Sequence, residues 1–84
     1  LGDYAKALDA YTRSLPMLEK AYPPNHPSIL NNNANRARIL LFMNRVGEAL
    51  ELAESTLNAV RDSVGTDHFL HRFVMLVLTE AYIA

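Results

Sequence analysis

Eighty-four residues, half of them apolar and a fifth charged, allow one folded domain near the low end of what a single hydrophobic core can stabilise, and argue against intrinsic disorder. A formal net charge of −1 offers no electrostatic footprint for nucleic acid or an anionic membrane, and the lack of cysteine excludes a disulfide framework or a thiolate metal site. The most apolar run, residues 73–78, is broken by Thr79 and Glu80 and falls well short of the ~20 residues that span a bilayer, so a cytoplasmic chain without membrane contact is expected.

The first helix is expected over residues 4–22, opened by Gly2 and by Asp3, whose carboxylate can accept backbone N–H bonds from the first turn. Tyr4, Leu8, Tyr11, Leu15, Leu18 and Tyr22 recur at steps of four and three, which trace one face of an α-helix. Lys6, Asp9, Arg13 and Lys20 fall on the outer face. Pro16 removes a backbone donor and crowds the carbonyl of Thr12, so a kink is expected between these two residues.

Tyr22-Pro23-Pro24-Asn25-His26-Pro27 cannot continue the helix; Asn25 suits an N-cap and Pro27 the first turn of the next helix. The second helix, residues 28–43, sets Leu30, Ala34, Ala37 and Leu41 on one side with Ile29 and Leu40 beside them. Asn31, Asn32, Asn33, Asn35, Arg36 and Arg38 fill the rest of its first half. Asparagine side chains compete for backbone hydrogen bonds, so this helix is intrinsically the weakest and must be held by packing. Asn44 ends it.

The third helix, residues 46–64, repeats the first. A shift of 42 carries Val46, Leu50, Ala53, Leu57, Val60 and Val64 onto the six apolar positions of the first stripe. The punctuation repeats as well, since Gly65 supplies a left-handed helix stop, Asp67 a cap, and His68 falls on His26. That coincidence favours a capping or turn-packing role for the two histidines. The fourth helix, residues 69–83, is apolar most of the way round, which marks burial on more than one side. With only four helices in the chain, its second burial partner is expected in a longer parent or in another molecule.

Gly2-Asp3-Tyr4 with Ala7-Leu8, Tyr11 and Leu15, and the repeated pair Ala49-Leu50, resemble the second helix of a tetratricopeptide repeat. The 42-residue spacing, Glu19-Lys20 and Asn25-His26-Pro27 are similar to the longer variant of kinesin light chains, which commonly reads E-K, a short loop, D-H-P, then L-N-N-L-A. Asn35 and Ala37 match that last motif, whereas Asn33 and Arg36 stand where two packing leucines are usual. HEAT-type repeats, with periods near 42, are the architectural alternative, although they do not account for the Gly-Asp-Tyr start or the Asn-His-Pro turn.

The resemblance implies an all-α superhelical solenoid fragment of about four antiparallel helices: the second helix of one repeat at 3–22, a full repeat at 27–64, and the first helix of the next at 68–83, within a longer array. It also implies a non-catalytic scaffold for a protein or peptide, bound on the concave face that first helices line. Asn31, Asn35, Arg38 and Phe42, with Phe73, Val77 and Glu80 from the next repeat, would stand there. Asparagine amides suit a peptide backbone, arginine a carboxylate, and aromatic rings apolar side chains. Arg38 and Glu80, 42 residues apart, are expected to face each other. The family's clamp for acidic chaperone tails is not matched, because Ala34 and Leu76 occupy places where cationic or amide groups would be wanted.

His68 and His71 make at most an incomplete metal site, and no catalytic constellation or cofactor motif is present. The alternative to peptide binding is structural, a segment that self-associates by docking its apolar last helix on a neighbouring repeat or a second chain as a homo-oligomer.

Overall fold

A computed structural model describes residues 3–83, and the described residues form four α-helices without a strand: α1 (Tyr4–Ala21), α2 (Pro27–Phe42), α3 (Val46–Ser63) and α4 (Phe69–Ile83). Gly2, expected to help open α1, lies outside the described residues. Asp3 caps α1 by accepting from the Lys6 N–H at 3.1 Å. The helix then runs unbroken through Pro16.

Two caps differ from expectation. His26, not Asn25, is the N-cap of α2, its Nδ1 accepting from the Ser28 N–H at 3.1 Å. Before α4, the His68 Nδ1 accepts from the Leu70 N–H at the same 3.1 Å, where Asp67 was expected. The physical reason at the first turn is backbone geometry: Asn25 adopts the left-handed conformation at φ 62°, and so serves the turn after the two prolines. The two histidines therefore do the same job 42 residues apart. Helix ends are marked by further left-handed residues, Asn44 at φ 62° and Gly65 at φ 84°. Beyond Asn44 the Arg45 N–H reaches back to the Leu40 carbonyl at 2.9 Å, closing α2 with the six-to-one bond of a Schellman stop.

Short connections force neighbouring helices to run antiparallel. Tyr4 at the start of α1 meets Phe42 at the end of α2, and the Ser63 hydroxyl at the end of α3 donates to the Asn25 carbonyl just before α2 at 2.8 Å. α2 packs against all three other helices, α3 against α2 and α4, and α1 against α2 alone. The result is two layers, α2 beside α4 and α1 with α3 behind them.

This arrangement sets how each helix is buried. The asparagine-rich α2 is the central helix, with Ile29, Leu30, Asn32, Ala34, Ala37, Ile39 and Leu40 buried, because it alone has neighbours on three sides. The apolar α4 buries Leu70, Val74, Val77, Leu78 and Ala81 and leaves Phe69, Met75, Leu76, Tyr82 and Ile83 exposed. One apolar cluster runs through the chain from Leu30, Ala34 and Ala37 through Ala53, Leu57 and Val60 to Leu70, Val74, Val77 and Leu78. Burying its larger side chains contributes roughly 1.5–3 kcal/mol each before chain entropy is counted.

Candidate functional site

The layer made by α2 and α4 carries the residues expected to bind. Asn31 and Arg38 are exposed on α2, with Asn35 half-buried between them. The Asn35 amide donates to its own helix, at the Asn31 carbonyl and 2.9 Å, so one of its donors is already engaged. The Arg38 guanidinium lies over the Phe42 ring, 5.1 Å from its centroid, and Phe42 in turn leans on Tyr4 with 5.4 Å between ring centroids. A guanidinium over an aromatic ring still has N–H donors to offer a carboxylate or a carbonyl. Tyr4 was not among the expected site residues; its place at the head of the α1 stripe, antiparallel to the end of α2, is the signal that could have found it.

The α4 residues behave differently. Phe73 is half-buried and packs against the core cluster, and Glu80 is half-buried. Val77 is buried within that cluster at 2 % exposure, which removes it from any binding surface. The expected approach of Arg38 and Glu80 produces no ion pair among the described residues: the ion pairs present are Lys6 with Asp3, Arg13 with Asp9, and Arg45 with Glu48, all within single helices or at their caps. Arg38 spends its charge over Phe42 instead.

Asn32 has a structural place that the sequence pattern did not indicate. It is buried at 3 % exposure, its Nδ2 donating to the Tyr11 carbonyl at 3.0 Å and to the Ser14 hydroxyl at 3.1 Å, while its Oδ1 accepts from the Arg36 Nε at 2.9 Å. Burial pushes the Arg36 guanidinium below its ordinary value, with the Glu19 carboxylate pulling the other way. Beside this latch a cleft of about 270 Å³ opens between the end of α1 and the start of α2, lined by Glu19, Tyr22, Pro24, Asn25, Ile29 and Asn33. Tyr22 and His26 stack at 4.2 Å near its rim.

Among the described residues, no group of three or more His, Cys, Asp or Glu side chains is placed to hold a metal ion, and no helix is long and apolar enough to cross a membrane. The architecture, antiparallel helix pairs repeating at 42 residues around one continuous core, defines an α-helical repeat protein. The tetratricopeptide repeat family model matches residues 1–62, about three quarters of the chain, and the chain belongs to that family. Neither the curated proteins nor the solved structures contain a match to it. Tetratricopeptide repeats generally mediate protein–protein interactions and are generally non-catalytic.

Proposed function

We propose that the chain is a scaffold module that binds an extended peptide or protein segment along the concave face formed by α2 and α4. In this reading α1 is the second helix of one repeat, α2 and α3 form a complete repeat, and α4 is the first helix of the next, in the 42-residue register of the kinesin-light-chain-like variant. The observation that carries the reading is Arg38. It is exposed, placed over the Phe42 ring, and without a carboxylate partner among the described residues. A guanidinium held over an aromatic ring loses less side-chain freedom when it pairs with an incoming carboxylate than one free in solvent. Asn31 and Asn35 extend the polar surface along α2, and Phe73 with Glu80 border it on α4.

Selection of phage-displayed random peptides on the chain tests this directly. Enriched peptides should contain an acidic residue, and their affinity should fall about tenfold in Arg38→Ala, which corresponds to the ~1.4 kcal/mol of one charge-assisted contact. Asn35→Ala should weaken them less, and Glu51→Ala on the outer face of α3 should leave them unchanged. Peptides that bind equally well to Arg38→Ala and Asn35→Ala would remove the concave face from consideration.

A further inference from the structure

The cleft beside the Asn32 latch lies on the far side of α2 from the polar residues of the proposed concave face. Asn33 lines it, and two residues of α-helix turn the chain by about 200°, which sets Asn33 opposite both Asn31 and Asn35. The other walls are Glu19 and Tyr22 around the end of α1, Pro24 and Asn25 in the turn, and Ile29 at the start of α2. All of them belong to residues 19–33, so one helix–turn–helix unit builds the whole cleft. Neighbouring repeats do not cover this place, as the second copy of the unit shows. The α1–α2 unit is followed by α3 and α4, and the α3–α4 unit is preceded by α1 and α2. A shift of 42 carries Glu19, Pro24 and Asn25 onto Arg61, Thr66 and Asp67, and these residues are exposed in both settings.

The walls are held by bonds that leave one charge uncommitted. The Asn25 carbonyl receives the Ser63 hydroxyl at 2.8 Å, the His26 Nδ1 receives the Ser28 N–H, and the Tyr22 ring is stacked on His26 at 4.2 Å. Arg36, whose charge acts on Glu19, is tied to the side-chain oxygens of Asn32 and Asn33. Glu19 takes part in none of the ion pairs among the described residues. The cleft therefore offers an exposed carboxylate beside an aromatic ring whose orientation is set by the histidine behind it.

We propose that this cleft receives an arginine side chain of a partner protein, its guanidinium on the Glu19 carboxylate and against the Tyr22 ring, its methylenes along Pro24 and Ile29. Arginine suits this pairing better than lysine, because its planar fork bonds a carboxylate through two N–H groups and also packs on aromatic rings. Size points to a side chain as well. Pockets for drug-sized molecules run to ~300–1,000 Å³, whereas the cleft measures about 270 Å³. The second copy of the unit has Arg61 in the place of Glu19, and a cation there repels the same ligand, so the site belongs to the α1–α2 unit alone among the described residues. It stands apart from the concave face and does not rest on the peptide-binding reading of that face.

The test follows the amide chemical shifts of the isotope-labelled 84-residue chain during titration with acetyl-Gly-Arg-Gly-amide. The same peptide with lysine, or with citrulline, which keeps the shape of arginine without its charge, serves as control. The arginine peptide should give saturable shifts in the millimolar range, centred on Glu19, Tyr22, Asn25 and Asn33. Citrulline should bind about fivefold more weakly, the upper end for one exposed ion pair. Glu19→Gln, at an exposed position, should weaken the arginine peptide to the same degree, and Tyr22→Leu should erase its advantage over lysine. Arg38→Ala should change neither, which separates this cleft from the concave face. Dispersed amide spectra verify that each variant is folded. Binding indifferent to Glu19→Gln overturns the proposal, as do shifts equally large at the exposed carboxylates Glu48 and Glu51, or none that saturate. Shifts of the same amides on raising the chain concentration without peptide would overturn the assignment to a partner and place an arginine of a second copy there.

Discussion

The Asn32 amide donates to the Tyr11 carbonyl at 3.0 Å, crossing from α2 to α1 at a position where only 3 % of the Asn32 surface is exposed. It is the tie between the helix with three neighbours and the helix with one. The same side chain also donates to the Ser14 hydroxyl and accepts from Arg36, so its own buried amide is satisfied at both its nitrogen and its oxygen.

Replacing Asn32 with alanine should lower stability by about 1–3 kcal/mol, through the loss of buried hydrogen bonds that contribute roughly 0.5–1.5 kcal/mol each. Asn32→Asp should do at least as much harm, because it turns an acceptor toward the Tyr11 carbonyl. Asn31→Ala, one residue away and exposed, should change stability by less than about 0.5 kcal/mol. Urea denaturation with unchanged slopes checks all three; equal effects of Asn31→Ala and Asn32→Ala would show that the latch contributes nothing.

His71 marks a place where the second copy of the repeat is less well fitted than the first. Its Nε2 is buried with no hydrogen-bond partner among the described residues, while its counterpart Ile29 is buried at 7 % in the apolar core. His71→Ile should raise stability by about 1 kcal/mol, the relief of an unsatisfied polar atom less the small cost of a β-branched residue in a helix. A thermal melt reads the gain directly, and a lower melting temperature would mean that a bound water satisfies Nε2.

The Tyr82 phenol, 3.2 Å from a Glu54 carboxylate oxygen, is held above the ordinary value of 10.0 by the charge of Glu54 and by the hydrogen bond it donates. A group whose folded value is raised favours the fold below its unfolded value, and that contribution is lost as pH rises through the folded one. Ultraviolet titration of phenolate absorbance, with Tyr82→Phe assigning the signal, should show Tyr82 ionising above the ordinary phenol value. Glu54→Gln should bring it back toward that value; an unchanged titration would break the link between α3 and α4 at this point.

Much of the fold was legible along the chain. The four helices begin and end within a residue or two of the positions that hydrophobic period and turn chemistry indicate, and the 42-residue repeat extends to the histidine caps. Those caps were legible only through the coincidence of His26 with His68: Asn25 has the stronger propensity for capping, but the preceding prolines and the turn commit its backbone to the left-handed region. Among the candidate site residues, Asn31 and Arg38 are exposed and Asn35, Phe73 and Glu80 half-buried, whereas Val77 belongs to the core. Helical spacing puts Val77 on the same stripe as Phe73 and Glu80. A modest rotation of α4 about its axis decides which member of a stripe meets the neighbouring helix, and that rotation is set by packing.

What the sequence determined by itself is the number, length and order of the helices and their pairing at a fixed repeat, because periodicity, prolines and left-handed residues act within a few positions of themselves. Which faces are covered and which stay open was decided only in three dimensions. The pattern along α2 does not distinguish Asn32 from Asn31, Asn33 and Asn35, and Asn32 is buried where a carbonyl of α1 stands opposite it. The apolar α4 reads as a helix that needs neighbours on more than one side, and Leu76 and Tyr82 are exposed because burial requires a neighbouring surface and not merely an apolar side chain.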